Sequence, residues 1–239
     1  MGCNDRLENN SSSNQREHTR YFAGQLVTAG NLNQDLKYQR DKRRLHNRLL
    51  HGWGVVCGFE VRPGKITGPS LVVTICPGYA LSPQGDEIYV PTEVQFDLAQ
   101  CLTGPASGQC KSSCSPVASN AVDATAPFYI AIKYAECLSH PVRVPPVGCG
   151  CDDTACEYSR IREGFEVSCI TDDKLPKTYF DAPSGEAEGN IFPCPTCLDV
   201  PWVVIAKVSP GDTEGVYNID HFVRRILLST SKLQSLGGY

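Results

Sequence analysis

Thirteen cysteines in 239 residues are the first chemistry this sequence offers. Cys149-Gly-Cys151 with Cys156, and Cys194-Pro-Thr-Cys197, gather five sulfurs into two short clusters. Closely spaced thiolates can share one tetrahedral zinc, so Cys149, Cys151, Cys156, Cys194 and Cys197 are the candidate ligands of a structural metal. The first cluster lacks the spacing of a paired-knuckle finger. Disulfides within or between loops are the leading reading, because they suit a particle that ends up outside the cell. Free thiols come third. An odd cysteine count leaves at least one thiol unpaired or bonded between subunits. A redox role for the Cys194 pair is disfavoured, since it neither follows a strand nor opens the helix of a βαβ unit. Cys57, Cys76 and Cys169 sit in apolar runs and are expected to be buried small hydrophobes.

Other reactive types are scattered. His46 and His51 are five residues apart, not the four that would put two ligands on one helix face. Asp152-Asp153 and Asp172-Asp173 lack the spacing of a calcium loop. No nucleophile elbow, phosphate loop or dinucleotide fingerprint is present. The chain is therefore not read as an enzyme, and no catalytic residue or cofactor is expected beyond the alternative of a structural zinc. A zinc enzyme, with Glu157 or Asp152 as its acid, ranks last, because thiolate-rich sites are more often structural.

The elements that would hold these residues are mostly β. VVCGFEV, SLVVTICPGYAL, DEIYVPTEVQFDL, PFYIAIKYAEC, IREGFEVSCIT and PWVVIAKV are rich in β-branched and aromatic residues and bounded by Gly and Pro. A hairpin is expected around Ser82 to Asp86. Strands do not alternate with helices, which argues against a doubly wound α/β enzyme. The expected fold is mostly β, an antiparallel sandwich or barrel-like body, with one long basic N-terminal α-helix and long Cys-rich loops. Residues 1–19 form a polar arm, 20–61 a helix-containing docking segment, and 62–239 the β-rich body with loop insertions at about 101–126 and 137–197.

The helix is expected from Thr28 or Asn31, as caps, to Gly52. Leu32, Leu36, Tyr38, Leu45, Leu49 and Leu50 mark a loose apolar stripe. Lys37, Arg40, Lys42, Arg43, Arg44 and Arg48 oppose only Asp35 and Asp41, so one face is positive. That face suits an acidic partner surface or a neighbouring subunit, with a solvated helix bearing local ion pairs as the alternative. Nucleic acid is disfavoured by the net charge of −4 and the scarcity of interleaved aromatics. Trp53, between Gly52 and Gly54, reads as a core anchor at the helix–sheet junction, with an interface role as its alternative.

The stretch RYFAGQLVTAGNLNQDLKYQRDKRRLHNRLLHGWGVVCGFEV, from Arg20 to Val61, resembles a bacterial family of uncharacterised proteins. They are encoded among the baseplate and fibre genes of phage-tail-like contractile injection systems. CPGYALSPQGDEIYVP, PWVVIAKV and VRRI match further parts of the family pattern. The resemblance implies a particle component and no catalyst. It makes Arg20, Tyr21, Phe22, Gln25, Lys37, Arg40, Arg43, Arg44, Arg48 and Trp53 the candidate interface residues. The implied partners are other particle subunits or copies of the chain, with no small-molecule substrate.

No run approaches the ~18 apolar residues of a membrane helix, and the start does not read as a secretory signal. Synthesis and assembly in the cytoplasm are expected, followed by release as part of an extracellular particle. The alternative function is a carbohydrate- or surface-binding β module. Its disulfide-pinned loops would present Tyr158, Tyr179, Phe180 and Phe192.

Overall fold

Proline and glycine divide the first β stretch into short segments, and the backbone bends at each division. In the computed structural model of the protein, the residues described are 16–63, 72–98, 126–143, 156–181, 194, 197–211 and 217–236. The first six strands are β1 (Gly54–Gly58), β2 (Val61–Pro63), β3 (Val72–Ile75), β4 (Gly78–Leu81), β5 (Glu87–Val90) and β6 (Val94–Asp97). They form two antiparallel sheets, ordered β1-β4-β5 and β2-β3-β6. Because β1 runs on into β2, β3 into β4 and β5 into β6, the two sheets are halves of one meander folded at a corner. Hydrogen bonds from Phe59 N–H to Pro77 O (3.1 Å) and from Cys76 N–H to Glu60 O (2.8 Å) carry the pairing across the bend. Gly58 and Phe59 both take positive φ there. A Cβ on Gly58 would stand 2.0 Å from Pro77 O, so only glycine admits this approach.

The second half of the chain supplies β7 (Phe128–Arg143), β8 (Cys156–Ile170), β9 (Val203–Pro210) and β10 (Tyr217–Asp220), in the order β10-β9-β7-β8. Strand alternation gives this sheet two apolar faces. Ile130, Ile132, Val167 and Val203 meet Val55, Phe59, Ile75 and Phe96 of the meander in the main core. Tyr129, Ala131, Ile170 and Val204 face the other way, against Trp53, Leu175 and Tyr179. Each fully buried Ile, Val or Phe stabilises the fold by about 1.5–3 kcal/mol. The Tyr179 hydroxyl donates to Trp202 O and accepts from Val204 N–H, both at 2.9 Å. Burial pushes its pKa up.

A C-terminal segment clasps the two layers. Val55 N–H donates to Arg225 O and Leu227 N–H to Val55 O, each at 2.8 Å. A bulge in β9 pairs Ile130 with Ala206 and Ala131 with Val204, skipping Ile205. The Arg224 guanidinium fills the gap. It donates to Ile205 O (2.6 Å), Gly58 O (3.0 Å) and Phe59 O (2.7 Å), joining the bulge to the meander corner. Arg225 lies 4.5 Å from the centre of the Trp53 ring. His221 Nε2 accepts from Val61 N–H at 3.0 Å, which requires the neutral ring. Burial, then the Arg224 charge, lowers its pKa.

The fold is thus mostly β, in three antiparallel sheets, with one long N-terminal helix. Several expectations need revision. The hairpin at Ser82–Asp86 is present. Within the expected 137–197 insertion, IREGFEVSCIT is the strand expected of it, but residues 138–143 and 156–160 are strand as well. β9 pairs with β7 only as far as Ile132. Beyond it, β7 and β8 continue as a two-stranded arm, with Leu138 opposite Ile161 and Arg143 opposite Cys156. Pro141 hid the outer part of this arm from sequence reading. It is tolerated because one edge of β7 is unpaired there. The 101–126 insertion lies outside the described residues except for its last residue. The docking segment does not end at residue 61 as a separate unit, since Val55, Phe59 and Val61 are in the main core.

Candidate docking surface

The helix that opens the described chain belongs to the body at one end only. Thr28 and Asn31 form a reciprocal capping box, and α1 runs Ala29–His46. Arg43, Arg44 and His46 in its last turn suit the negative end of the helix dipole. A π-helical turn, Asn47–His51, continues it to Gly52, whose positive φ ends it. No residue of α1 is buried.

Three polar contacts fasten the C-terminal half. Asn47, the buried residue of the π turn, donates from Nδ2 to Gly85 O at 2.9 Å. Arg44 Nε meets Asp86 Oδ1 at 2.6 Å. Arg40 Nη1 meets Glu136 Oε1 at 3.2 Å, and the Tyr134 hydroxyl donates to the same oxygen. Burial alone would lower the Arg44 pKa, but the bond and charge of Asp86, with the charges of Asp41 and Glu136, together offset it and the net shift is upward. The turn that receives the helix is built for it. Ser82 N–H bonds Asp86 O, Gly85 N–H bonds Ser82 O, and Ser82 Oγ accepts from Asp86 N–H. A Cβ on Gly85 would stand 2.2 Å from Arg44 O.

Towards its N-terminus the helix leaves the body. Leu32, Leu36, Arg40 and Arg44 fall on one stripe, four residues apart. Leu32 and Leu36 are exposed, Leu36 at 68 %, and on the arm Ile161 is 60 % exposed.

The other side of α1 is covered by the chain before it. The His18 ring packs on Tyr38 at 5.1 Å, and Thr19 Oγ1 donates to Asn31 O. Gln25 closes a turn with Phe22 through backbone and side chain, at Gly24 with φ +84°. That turn presents Tyr21, Phe22, Leu26 and Val27 to solvent, Leu26 at 85 % exposure. Exposed apolar side chains thus stand on this segment, on α1 and on the arm.

The candidate interface residues divide accordingly. Arg20, Tyr21, Phe22, Lys37 and Arg43 are exposed, and Gln25 and Arg48 are half-buried. Arg40 and Arg44 are spent fastening the helix to its own body. Trp53 is buried in the second core, against Tyr179, and takes the core role of its two readings. Sequence reading missed Asp86 and Glu136, the acids that receive the helix, because nothing in sequence pairs them with α1.

The cysteines meet their expectation only in part. Cys57 is exposed, not buried. Cys76 is buried and free. Cys169 is fully buried but disulfide-bonded, as are Cys137 and Cys197. Cys194 is a free, exposed thiol. Cys149 and Cys151 lie outside the described residues, and Cys156 opens β8. Among the described residues, no three His, Cys, Asp or Glu side chains gather as a metal would require. Of the aromatic quartet, Tyr158 is on the arm, Phe180 packs beside Tyr129 and Tyr179, and Phe192 is outside the described residues. Tyr179 is core and faces no ligand. Among the described residues no helix is long and apolar enough to cross a membrane. No protein-family model matches the chain, and no curated protein matches its sequence.

Proposed function

We propose that this chain is a structural subunit of a phage-tail-like contractile injection particle, at its baseplate, fibre or surface, and that it acts by docking to neighbouring subunits. One observation carries the reading. A helix with no buried residue is held at one end by Asn47, Arg44 and Arg40, while its free end and the preceding turn expose Tyr21, Phe22, Leu26, Leu32 and Leu36. A helix kept in place without a core of its own is suited to receiving one from a partner. The resemblance of Arg20–Val61 supplies the kind of assembly. The subunit is made and assembled in the cytoplasm and leaves the cell within the particle, where cross-linked loops resist unfolding.

Electron microscopy of particles purified from the native source, with the chain identified in them by mass spectrometry, tests this reading. Its presence in tail-like particles is the expected result. A chain found only outside any particle overturns it.

A further inference from the structure

Strand β2 ends one sheet of the meander, strand β10 ends the four-stranded sheet, and the two lie side by side. Among the described residues no backbone hydrogen bond joins them. A side chain joins them instead. Val61, buried in the main core, spends its N–H on His221 Nε2. His221 follows β10 directly and opens a turn, its own carbonyl accepting from Arg224 N–H. A ring nitrogen accepts only while it carries no proton, so this seam is closed by a group that titrates near neutrality.

The groups around the ring are poorly placed to hold a charge on it. Arg224 is pinned by the carbonyls of Ile205, Gly58 and Phe59 and has no room to turn aside. Glu60, on the meander side, is already paired with Arg62 at 2.7 Å. Asp220, on the β10 side, accepts from Phe222 N–H through Oδ1 at 2.8 Å. Both acids favour an imidazolium, but burial and the Arg224 charge outweigh them. Protonation would also leave the Val61 N–H, on a buried residue, without its acceptor.

We propose that the β2–β10 seam is an acid-sensitive latch, closed by neutral His221 and opened when the ring is protonated. Arg224 and the hydrogen bonds to Val55 stay in place, so the seam opens locally while the body remains folded. The opening uncovers the outer edge of β2 and loosens the turn whose Phe222 side chain already stands fully in solvent. The latch is closed above the ordinary imidazole value of about 6.5 and opens as pH falls through the lower value of the folded chain. It rests on the fold and is independent of the particle role.

Amide hydrogen exchange of the full chain, read residue by residue by NMR and corrected for the intrinsic rate, tests the latch between about pH 7.5 and 5. Protection at Val61 is expected to fall at least about threefold on acidification, while Ile130 and Val167 in the four-stranded sheet keep theirs. In His221→Gln, whose amide oxygen can accept but does not titrate, the pH dependence at Val61 disappears. Protection at Val61 that does not change with pH overturns the proposal. So does a loss shared equally by Ile130 and Val167, which is unfolding of the whole body. The same loss in His221→Gln also overturns it, and assigns the effect to Glu60 or Asp220. The His221 nitrogen shifts of the wild type keep the test decisive if the variant fails to fold. Nε2 should be unprotonated at about pH 7.5 and titrate with the loss at Val61, and an Nε2 that carries the proton there, or a midpoint that does not coincide, rules the latch out.

Discussion

The meander corner and helix α1 are both rich in glycine-linked turns and arginine, yet they are held in opposite ways. At the corner, Gly58, Phe59 and Pro77 meet backbone to backbone, and Arg224 ties three carbonyls from two layers. Everything there is buried or bonded. On α1 nothing is buried, and two ion pairs and one amide hold the helix. Arginine at the corner replaces missing backbone partners, whereas arginine on α1 bridges to a carboxylate at the surface. The same residue type therefore marks a folding requirement in one region and an adjustable attachment in the other.

That contrast can be broken at its strong side first. Gly58→Ala places a Cβ inside contact distance of Pro77 O in a positive-φ position. It should lower stability by more than about 3 kcal/mol, seen as a shifted urea midpoint or as loss of soluble protein. Arg224→Met keeps the stem but leaves the carbonyls of Ile205, Gly58 and Phe59 without their donor. The expected loss is about 2–4 kcal/mol in the same measurement. Arg44→Met removes the partly buried partner of Asp86 and should cost about 1–2 kcal/mol, with hydrogen exchange rising in residues 36–46 before the meander opens. An Arg44 effect as large as that of Arg224 would erase the distinction.

The corner also has a pH signature. His221 must be neutral to accept from Val61 N–H, and its folded pKa lies below the ordinary value of about 6.5. Its contribution is fully present above that ordinary value and is lost as pH falls through the lowered folded pKa. His221→Gln should flatten this part of the melting-temperature profile between about pH 7 and 5. The smallest effect belongs to the free end of α1. Leu32→Ser with Leu36→Ser should change stability by no more than about 0.5 kcal/mol, since neither side chain is buried. A larger loss would mean that the free chain packs over them.

Much of the local structure was legible. The cap at Thr28, one of its two candidates, the stop at Gly52 and the hairpin at Ser82–Asp86 are encoded by neighbouring residues, where short-range chemistry decides. The outer part of the β7–β8 arm was not, because Pro141 and the flanking cysteines look like loop chemistry when the unpaired edge is unknown. Cys57 misled for a related reason. An apolar run sets strand propensity but does not say which alternate face the body covers, and the bulge between Val55 and Cys57 shifts that face.

The candidate site was legible only as composition. A basic, leucine-bearing helix next to a glycine-flanked tryptophan could be read directly, as could the polar and aromatic turn before it. Which arginines were available for a partner could not, since Asp86 and Glu136 lie 42 and 96 residues away from theirs. By itself the sequence determined the helix and its caps, the strand segments, and the glycines that permit close approach, because each depends on neighbours along the chain. Only the tertiary structure decided that Arg40 and Arg44 face inward, that Trp53 is core, and that Leu32 and Leu36 stay in water. Those outcomes depend on which distant surfaces the folded backbone brings together, and on how far apart it leaves the rest.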